Sequence, residues 1–297
     1  MDRQQIKSVL VTGANGNLGS KLIRHLADAE WCQQIVAVDR DPGTAAGFAG
    51  DKVSWVQADL SDGNNSRWKA AVQGVDAVVH LAAQAPSPDA SWSDACASFD
   101  MTCHIIGAAV QAGAKRAVFA SSNHVMGQYK DSPLADGIGP GELSTFLPPG
   151  PGTRWFNGEN YVQGFAYASS KLMGERLCRS MTDVTNGAFT TVSVRIGWCQ
   201  NGENLPGTIN TTGVPGGKST DSPDAEKDLR WFRNMWLSNR DFVSAMECAL
   251  LADESGWPSH SIVVNAMSRN AGMPWDIEHS RRMIGYDPQD NAWDHLT

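Results

Sequence analysis

Short apolar runs alternate along the first two thirds of the chain with longer stretches whose apolar residues recur every three to four positions. The runs at 8–12 (SVLVT), 35–39 (IVAVD), 53–57 (VSWVQ), 76–80 (DAVVH) and 117–121 (AVFAS) are short and rich in valine. That is the pattern of strands covered on both faces. Between them, 17–28 places Leu18, Leu22, Ile23 and Leu26 on one face of a helix, and 91–111 reads as a long helix. Strand–helix alternation of this kind predicts an α/β fold with a doubly wound parallel sheet and right-handed crossovers.

The second half is less regular. The stretch 131–160 is so rich in Gly and Pro that it predicts no regular element. A loop of that length in a compact domain is usually functional. Beyond it the pattern predicts a helix over 165–181, a strand over 189–195, a polar Gly-rich stretch over 197–228, a helix over 238–253, a strand over 261–265 and a helix over 274–284.

Length and composition narrow the class. The chain has 297 residues, enough for one large domain or two small ones. Its 24 Lys+Arg against 32 Asp+Glu give a net charge of −8, which argues against nucleic acid or an anionic membrane as partner. No apolar run approaches the length of a membrane span, and the polar start at 1–8 predicts no secretory leader. The six cysteines form no C-x-x-C pair and read as reduced thiols, which predicts a cytoplasmic protein.

The segment Thr12-Gly13-Ala14-Asn15-Gly16-Asn17-Leu18-Gly19 sits where the first strand meets the first helix. Glycines there permit a tight turn and close backbone approach to a pyrophosphate, which the free N–H groups of the helix start then hold. The spacing is G-x-x-G-x-x-G, so by itself it also fits an unliganded turn. Asp39, 20 residues after Gly19 at the end of the second strand, adds a ribose-binding acid that would repel a 2′-phosphate. The expectation is therefore NAD on a Rossmann-type sheet. Arg40 could stack on adenine or partly accommodate a 2′-phosphate. Asp59 and Leu60, after the third strand, either border the adenine or make an ordinary helix cap.

Tyr167 and Lys171 open the helix expected after the long loop and, at i and i+4, share one face of it. A neighbouring cation lowers a phenol's pKa toward the working range of a general base. Ser121-Ser122-Asn123-His124, at the end of the fifth strand, offers a serine at the sheet edge where ligands bind in such folds. The remaining histidines show no i, i+4 metal spacing, so no metal is expected.

Together the glycine turn, His80-Leu81-Ala82-Ala83, Ser121 to Val125 and Tyr167-x-x-x-Lys171 resemble the extended short-chain dehydrogenase/reductase superfamily of NAD-dependent epimerases and dehydratases. With Arg195-Ile196-Gly197, the segment Met235 to Asp241 and Gly285 to Asp290, the chain resembles uronate dehydrogenases over most of its length. Those enzymes oxidise the anomeric carbon of a hexuronic acid with NAD, giving an aldarolactone. The resemblance implies that Tyr167 is the general base, that Lys171 lowers its pKa and holds the nicotinamide ribose, and that Ser122 binds the reacting oxygen while Ser121 is structural. It implies cofactor contacts at Gly13, Asn15, Gly16, Asn17, Leu18, Gly19, Asp39, Arg40, Asp59, Leu60, Leu81, Ala82 and Ala83. It implies sugar contacts at Gln84, Asn123 and His124, with Arg195 on the substrate carboxylate. His124 could instead be a packing histidine, and Arg195 the partner of a structural acid. A homodimer or larger homo-oligomer is implied. The expected division is a single unit, 1–297. Its NAD-binding core is 1–130 plus 161–195, and its small, largely C-terminal substrate lobe is 131–160 and 196–297.

Two departures bear on the substrate. Ser122 and Tyr167 lie 45 positions apart, a longer interval than the family's, and the extra chain carries Trp155, Phe156, Tyr161 and Phe165 at or near its end. These aromatics read either as a lid over the sugar or as a loop packed on itself. Ala85 stands where uronate dehydrogenases carry a substrate-binding serine, and it cannot make that hydrogen bond. The alternative activity is a sugar-nucleotide epimerase or dehydratase that keeps its NAD bound; a regulator that senses NAD without turnover is a third reading.

Overall fold

The computed structural model describes residues 6–41, 51–84, 90–212 and 222–296. Ala85 therefore lies outside the described residues. Strand β1 (Ser8–Thr12) is buried at every position. Its side chains alternate between two layers, Val9 and Val11 in one and Leu10 in the other. The same holds for β2 (Gln34–Asp39), β4 (Ala77–His80) and β5 (Arg116–Ser122), which explains why these runs read as continuously apolar rather than alternating. β3 (Val53–Gln57), β8 (Thr190–Ile196) and β9 (Ser261–Ala266) complete a seven-stranded parallel sheet in the order β3-β2-β1-β4-β5-β8-β9. The short strands β6 (Arg154–Phe156) and β7 (Tyr161–Gln163) form a separate antiparallel hairpin.

The helices cover both faces. α1 (Asn17–Asp28) presents Leu22, Ile23 and Leu26, all at 0% exposure, to one layer, where each contributes about 1.5–3 kcal/mol. α6 (Asn239–Leu251) packs in the same layer through Phe242, Ala245, Met246 and Ala249. The other layer holds Trp68 of α2 (Ser66–Ala71), Met101, Ile105 and Ile106 of α3 (Trp92–Gln111), and Cys178 of α4 (Phe165–Val184). Ser91 caps α3 in a reciprocal pair with Asp94, which is why the helix starts there. A third cluster joins Val125, Met126, Leu143 and Trp155 to Trp198, Trp231, Trp236 and Trp275; its Trp231 lies on α5 (Ala225–Asn234).

Four features depart from the sequence expectation. The stretch 131–160 is not wholly irregular, because β6 pairs with β7 across an Asn157 turn. α5 begins inside the expected polar stretch. The last helix, α7 (Glu278–Ile284), is shorter than expected, since Leu143 bridges Trp275 and Asp276 turns its carboxylate onto the first helical N–H groups. Finally, β9 and α6, assigned from sequence to the substrate lobe, belong to the central sheet and its covering layer.

Strand order reverses beside β1, since β2 and β3 lie on one side and β4 and β5 on the other. A crevice opens at such a switch point, outside the carboxyl ends of the strands. The turn after β1, the segment after β4, the end of β5 and the end of β8 all face it.

Candidate active site

The crevice has a volume of about 440 Å³. On its nucleotide side Gly13 adopts φ +66, and a Cβ there would meet the Ala82 backbone nitrogen at 2.8 Å. At Gly19 a Cβ would fall 2.1 Å from the Gly13 carbonyl oxygen. Gly13 thus lets the turn approach the segment after β4, and Gly19 lets it close onto α1. Gly16, the residue before α1, offers no side-chain cap and the first turn carries no acid; the Gly16 N–H donates to the Gly13 carbonyl, and the helix start and its dipole face the crevice, a setting for an anion.

Asp39 lines the crevice at the end of β2, its carboxylate held by the N–H groups of Asn15 (2.9 Å) and Asp41 (3.0 Å). Asn15 itself is exposed and does not line the crevice; it acts on the site through that N–H. Arg40 reaches the Gln84 amide oxygen at 3.5 Å. Asp59, Leu60, Leu81, Ala82 and Ala83 complete this side. The hydrogen bonds from Ser61 hold the Asp59 carboxyl below its ordinary range.

A buried chain of hydrogen bonds fixes the two βα turns. The Thr12 hydroxyl oxygen accepts from the N–H groups of Leu81 and Ala82, both at 3.2 Å, and so donates to His80 Nδ1 at 2.7 Å. His80 Nε2 then donates to Thr102, which donates to the Ser98 carbonyl; the Ser98 hydroxyl in turn holds the Gln84 N–H. Burial pushes the His80 imidazole down to about 3, so it stays neutral in this one tautomer.

On the reaction side β5 ends with Ser121 and Ser122, and α4 presents Tyr167 and Lys171, one turn apart, to the same edge. A hydrogen bond between the Ser122 hydroxyl and Tyr167 lowers the phenol's pKa, but burial outweighs it and holds the group above its ordinary value. Lys171 donates to the Ala120 carbonyl at 2.8 Å and lies 5.8 Å from the Tyr167 ring centroid. Burial lowers the ammonium to about 8. The sequence expectation of a phenol drawn down by its lysine is thus not met here: desolvation dominates both groups, and the ammonium is turned onto a backbone carbonyl.

Asn123 and His124 follow, both buried. Asn123 donates to the Ile196 carbonyl at 2.9 Å, and its own carbonyl oxygen has no partner among the described residues. His124 Nδ1 pairs with Thr153 at 2.6 Å, and its ring meets Tyr167 edge-on at 5.9 Å. Burial depresses it to about 4, so it is a neutral donor or acceptor near pH 7.

Arg195 is not part of the crevice, which corrects its assignment to a substrate carboxylate. It is 2% exposed and forks onto Glu175 of α4 through Nε (2.8 Å) and Nη2 (2.9 Å). Strand alternation is the reason. Its neighbour Ile196 lines the crevice, while Arg195 points with Ser121 and Asn265 into the α4 side of the sheet. Of the aromatics near the long loop, Trp155 is buried in the third cluster, Phe156 packs on Tyr161, and Arg154 lies 4.0 Å over the Tyr161 ring. None of these, nor Phe165, lines the crevice; Trp155 packs with Trp198, Trp231 and Trp275, and Arg154 and Tyr161 both reach Asp224. Trp198, Cys199 and Asn201, after β8, line it instead. Asn17 and Lys21 of α1 clip this segment through the carbonyls of Cys199 and Gln200. Their sequence signal was faint: a Gly197-Trp198 pair ending a strand.

Residues 9–197 match the model of the NAD dependent epimerase/dehydratase family. The chain is 31% identical over 288 residues to an NAD-dependent glucose-6-phosphate dehydrogenase of Haloferax volcanii, covering 96% of this chain and 94% of that protein. It is 28% identical to an L-arabinose 1-dehydrogenase (NAD(P)(+)) of the same organism, covering 96% and 97%. Its fold superimposes on uronate dehydrogenase from Agrobacterium tumefaciens, solved as a mutant complexed with NAD, with a TM-score of 0.68 and 27% identity over 98% of this chain and 88% of that one. With the family model spanning more than half of the chain and a relative above 30% identity across nearly all of it, the protein is a member of the NAD-dependent epimerase/dehydratase family.

Proposed function

We propose that the protein oxidises a hydroxyl of a sugar, the anomeric one, with NAD as acceptor. The observation that carries this reading is the convergence of Ser122, Tyr167 and Lys171 on one edge of the crevice whose other side is built of Gly13, Gly19, the start of α1 and Asp39. Those residues fit NAD: a turn closed by backbone contact, an uncapped helix start for the pyrophosphate, and an acid for the adenosine ribose. When bound, NAD takes up the hydride released from the sugar carbon. Ser122 holds the reacting oxygen, and Tyr167 as phenolate removes the hydroxyl proton. The ammonium of Lys171, one helical turn from Tyr167 and 5.8 Å from its ring centroid, favours that phenolate by its charge. Asn123 and His124 supply an acceptor and a ring nitrogen for sugar hydroxyls. A cyclic aldose so oxidised loses one C–H and one O–H hydrogen and leaves as a lactone, with NADH and a proton.

The related dehydrogenases act on a sugar phosphate, a pentose and uronates, as their names state. With Arg195 held by Glu175, the only Arg or Lys side chains among the described lining residues are Arg40, on the adenine side, and Lys171. A hexuronate carboxylate therefore lacks the expected arginine, and we rank neutral aldoses ahead of hexuronates. We also divide the chain into an NAD-binding core, 1–130 and 161–195 together with α6 and β9, and a substrate lobe from 131–160 and the rest of the C-terminal third. The third cluster gathers Leu143, Trp155, Trp231 and Trp275 of the lobe and joins them to the core through Val125, Met126 and Tyr129. Six free thiols fit a cytoplasmic setting. Exposed Trp92, Phe165 and Met173 on the paired helices α3 and α4 fit a homo-oligomer, which light scattering would size. No helix among the described residues is long and apolar enough to cross a membrane.

The test is NADH formation by the purified protein with NAD across neutral aldoses, hexuronates and sugar phosphates. Turnover greatest on a neutral aldose supports the full reading. Turnover confined to hexuronates or sugar phosphates keeps the oxidation and overturns the substrate ranking. No NADH from any sugar, with NAD retained through purification, transfers the site to an epimerase that recycles its cofactor.

A further inference from the structure

Behind the reacting group lies a buried carboxylate that the proposed chemistry does not use. Tyr167, Lys171 and Glu175 are spaced i, i+4 and i+8, and so succeed one another along the inward stripe of α4. Glu175 accepts from the Ser121 hydroxyl at 2.6 Å and from the forked Arg195 guanidinium. Ser121 immediately precedes Ser122 at the end of β5. Arg195 immediately precedes Ile196 at the end of β8 and is in register with Ser121. One carboxylate thus ties together the helix that carries Tyr167 and Lys171, the strand that carries Ser122, and the strand that leads into Trp198. All three members are 5% exposed or less.

We propose that Ser121, Glu175 and Arg195 form a positioning clamp that sets the separation of Ser122 from Tyr167 and Lys171. None of the three is a catalytic residue; each acts through its chain neighbour or its helical neighbour. A buried ion pair is a poor source of net stability, because desolvation cancels most of its attraction. Its planar, two-pronged geometry does fix distance and angle, as a lysine in place of Arg195 would not. The Ser121 hydroxyl is not needed to neutralise Glu175, since Arg195 already does so. Its bond adds a third anchor, one residue from Ser122. A catalytic group misplaced by about 1 Å loses on the order of a hundredfold in rate, so such a clamp has a large effect to exert.

The kinetic arm of this proposal rests on the sugar-oxidation reading, and a second arm does not. Ser121→Ala removes the serine anchor and leaves the ion pair whole. We expect its kcat to fall about tenfold or more, with KM for NAD changed less than about twofold, and Ser121→Thr to restore most of the rate. Arg195→Lys, which keeps the charge and loses the fork, should slow kcat likewise; if it fails to fold, Ser121→Ala still decides. Amide hydrogen exchange on the same variant reads the clamp without turnover. Protection should drop at 119–124 and 165–172 while 178–184 keeps its own. Wild-type kcat with unchanged exchange overturns the proposal. So does a loss of protection spread evenly along α4, which is what a merely stabilising role predicts, or a Ser121→Thr protein as slow as the alanine variant. If the wild-type protein oxidises no sugar, the function reading fails by itself and the exchange pattern alone decides the clamp.

Discussion

Replacing Gly19 by alanine adds one methyl group where the nucleotide turn meets α1. That carbon would sit 2.1 Å from the Gly13 carbonyl oxygen and 2.8 Å from Ala14 Cα, both of them backbone atoms. Side-chain carbons essentially never come within 3.0 Å of a neighbour, so the turn and the helix must separate by about 0.9 Å. No flexible side chain can absorb the shift. Overpacking of this kind costs about 1–3 kcal/mol. At roughly 2–4 °C per kcal/mol for a domain of this order of size, Tm should fall by at least about 2 °C. The same movement draws the helix-start N–H groups away from the pyrophosphate, so the Kd for NAD should rise about tenfold or more, equivalent to about 1.4 kcal/mol. Titration by tryptophan fluorescence gives the Kd, and scanning calorimetry the Tm. Gly107→Ala is the control. It lies inside α3 with open space around a Cβ, so alanine should stabilise the protein by about 0.5–1 kcal/mol and leave the Kd alone. A Gly19→Ala protein with wild-type Kd and Tm would refute the argument that this glycine exists for contact with the Gly13 carbonyl.

Other consequences are open to test. His80 and His124 sit at about 3 and about 4 in the folded chain against an ordinary 6.5. Below pH 6.5 the unfolded chain therefore binds protons that the folded one refuses, and stability should fall with falling pH by about 1.4 kcal/mol per unit for each histidine, down to about pH 4 for His124 and about pH 3 for His80. Urea titrations between pH 4.5 and 7 measure this, and His124→Gln should remove one histidine's share of the slope. Asp39→Ala should weaken NAD binding and narrow the preference for NAD over NADP, because it removes both the ribose acceptor and the charge that repels a 2′-phosphate; an unchanged cofactor ratio would contradict the role given to Asp39. Lys130 pairs with Asp228, and both side chains are fully buried. Lys130→Met should cost about 3–5 kcal/mol by stranding the carboxylate, and adding Asp228→Leu should recover much of it; denaturation of the single and double variants reads the difference.

The strands and helices that build the crevice were legible because each carries its own signal. β1, β3 and α1 span the residues their apolar patterns outline, and the Gly13 turn joins β1 to α1. The elements that escaped have weak local codes. β6 and β7 are three residues each, flanked by Gly and Asn, and exist because Trp155 inserts into the third cluster. Half of α5 is charged, and only its packing through Trp231 and Phe232 reveals it. Arg195 shows what sequence spacing leaves open. A strand-end arginine beside the site fits a substrate anchor or a structural pair equally well, and which face it takes depends on register. Glu175, one turn beyond Lys171 on the same inward stripe, was the available sign that an acid waited for it.

In the proposed reaction Tyr167 removes the hydroxyl proton of a sugar whose hydride passes to NAD. Its most direct test compares wild-type protein and Tyr167→Phe for NADH formation with NAD and the best sugar substrate, alongside NAD binding by each. The kcat of the variant should be lower by about 10²–10⁴-fold, with NAD affinity unchanged. A Tyr167→Phe protein that binds NAD and keeps full turnover would contradict that role for Tyr167.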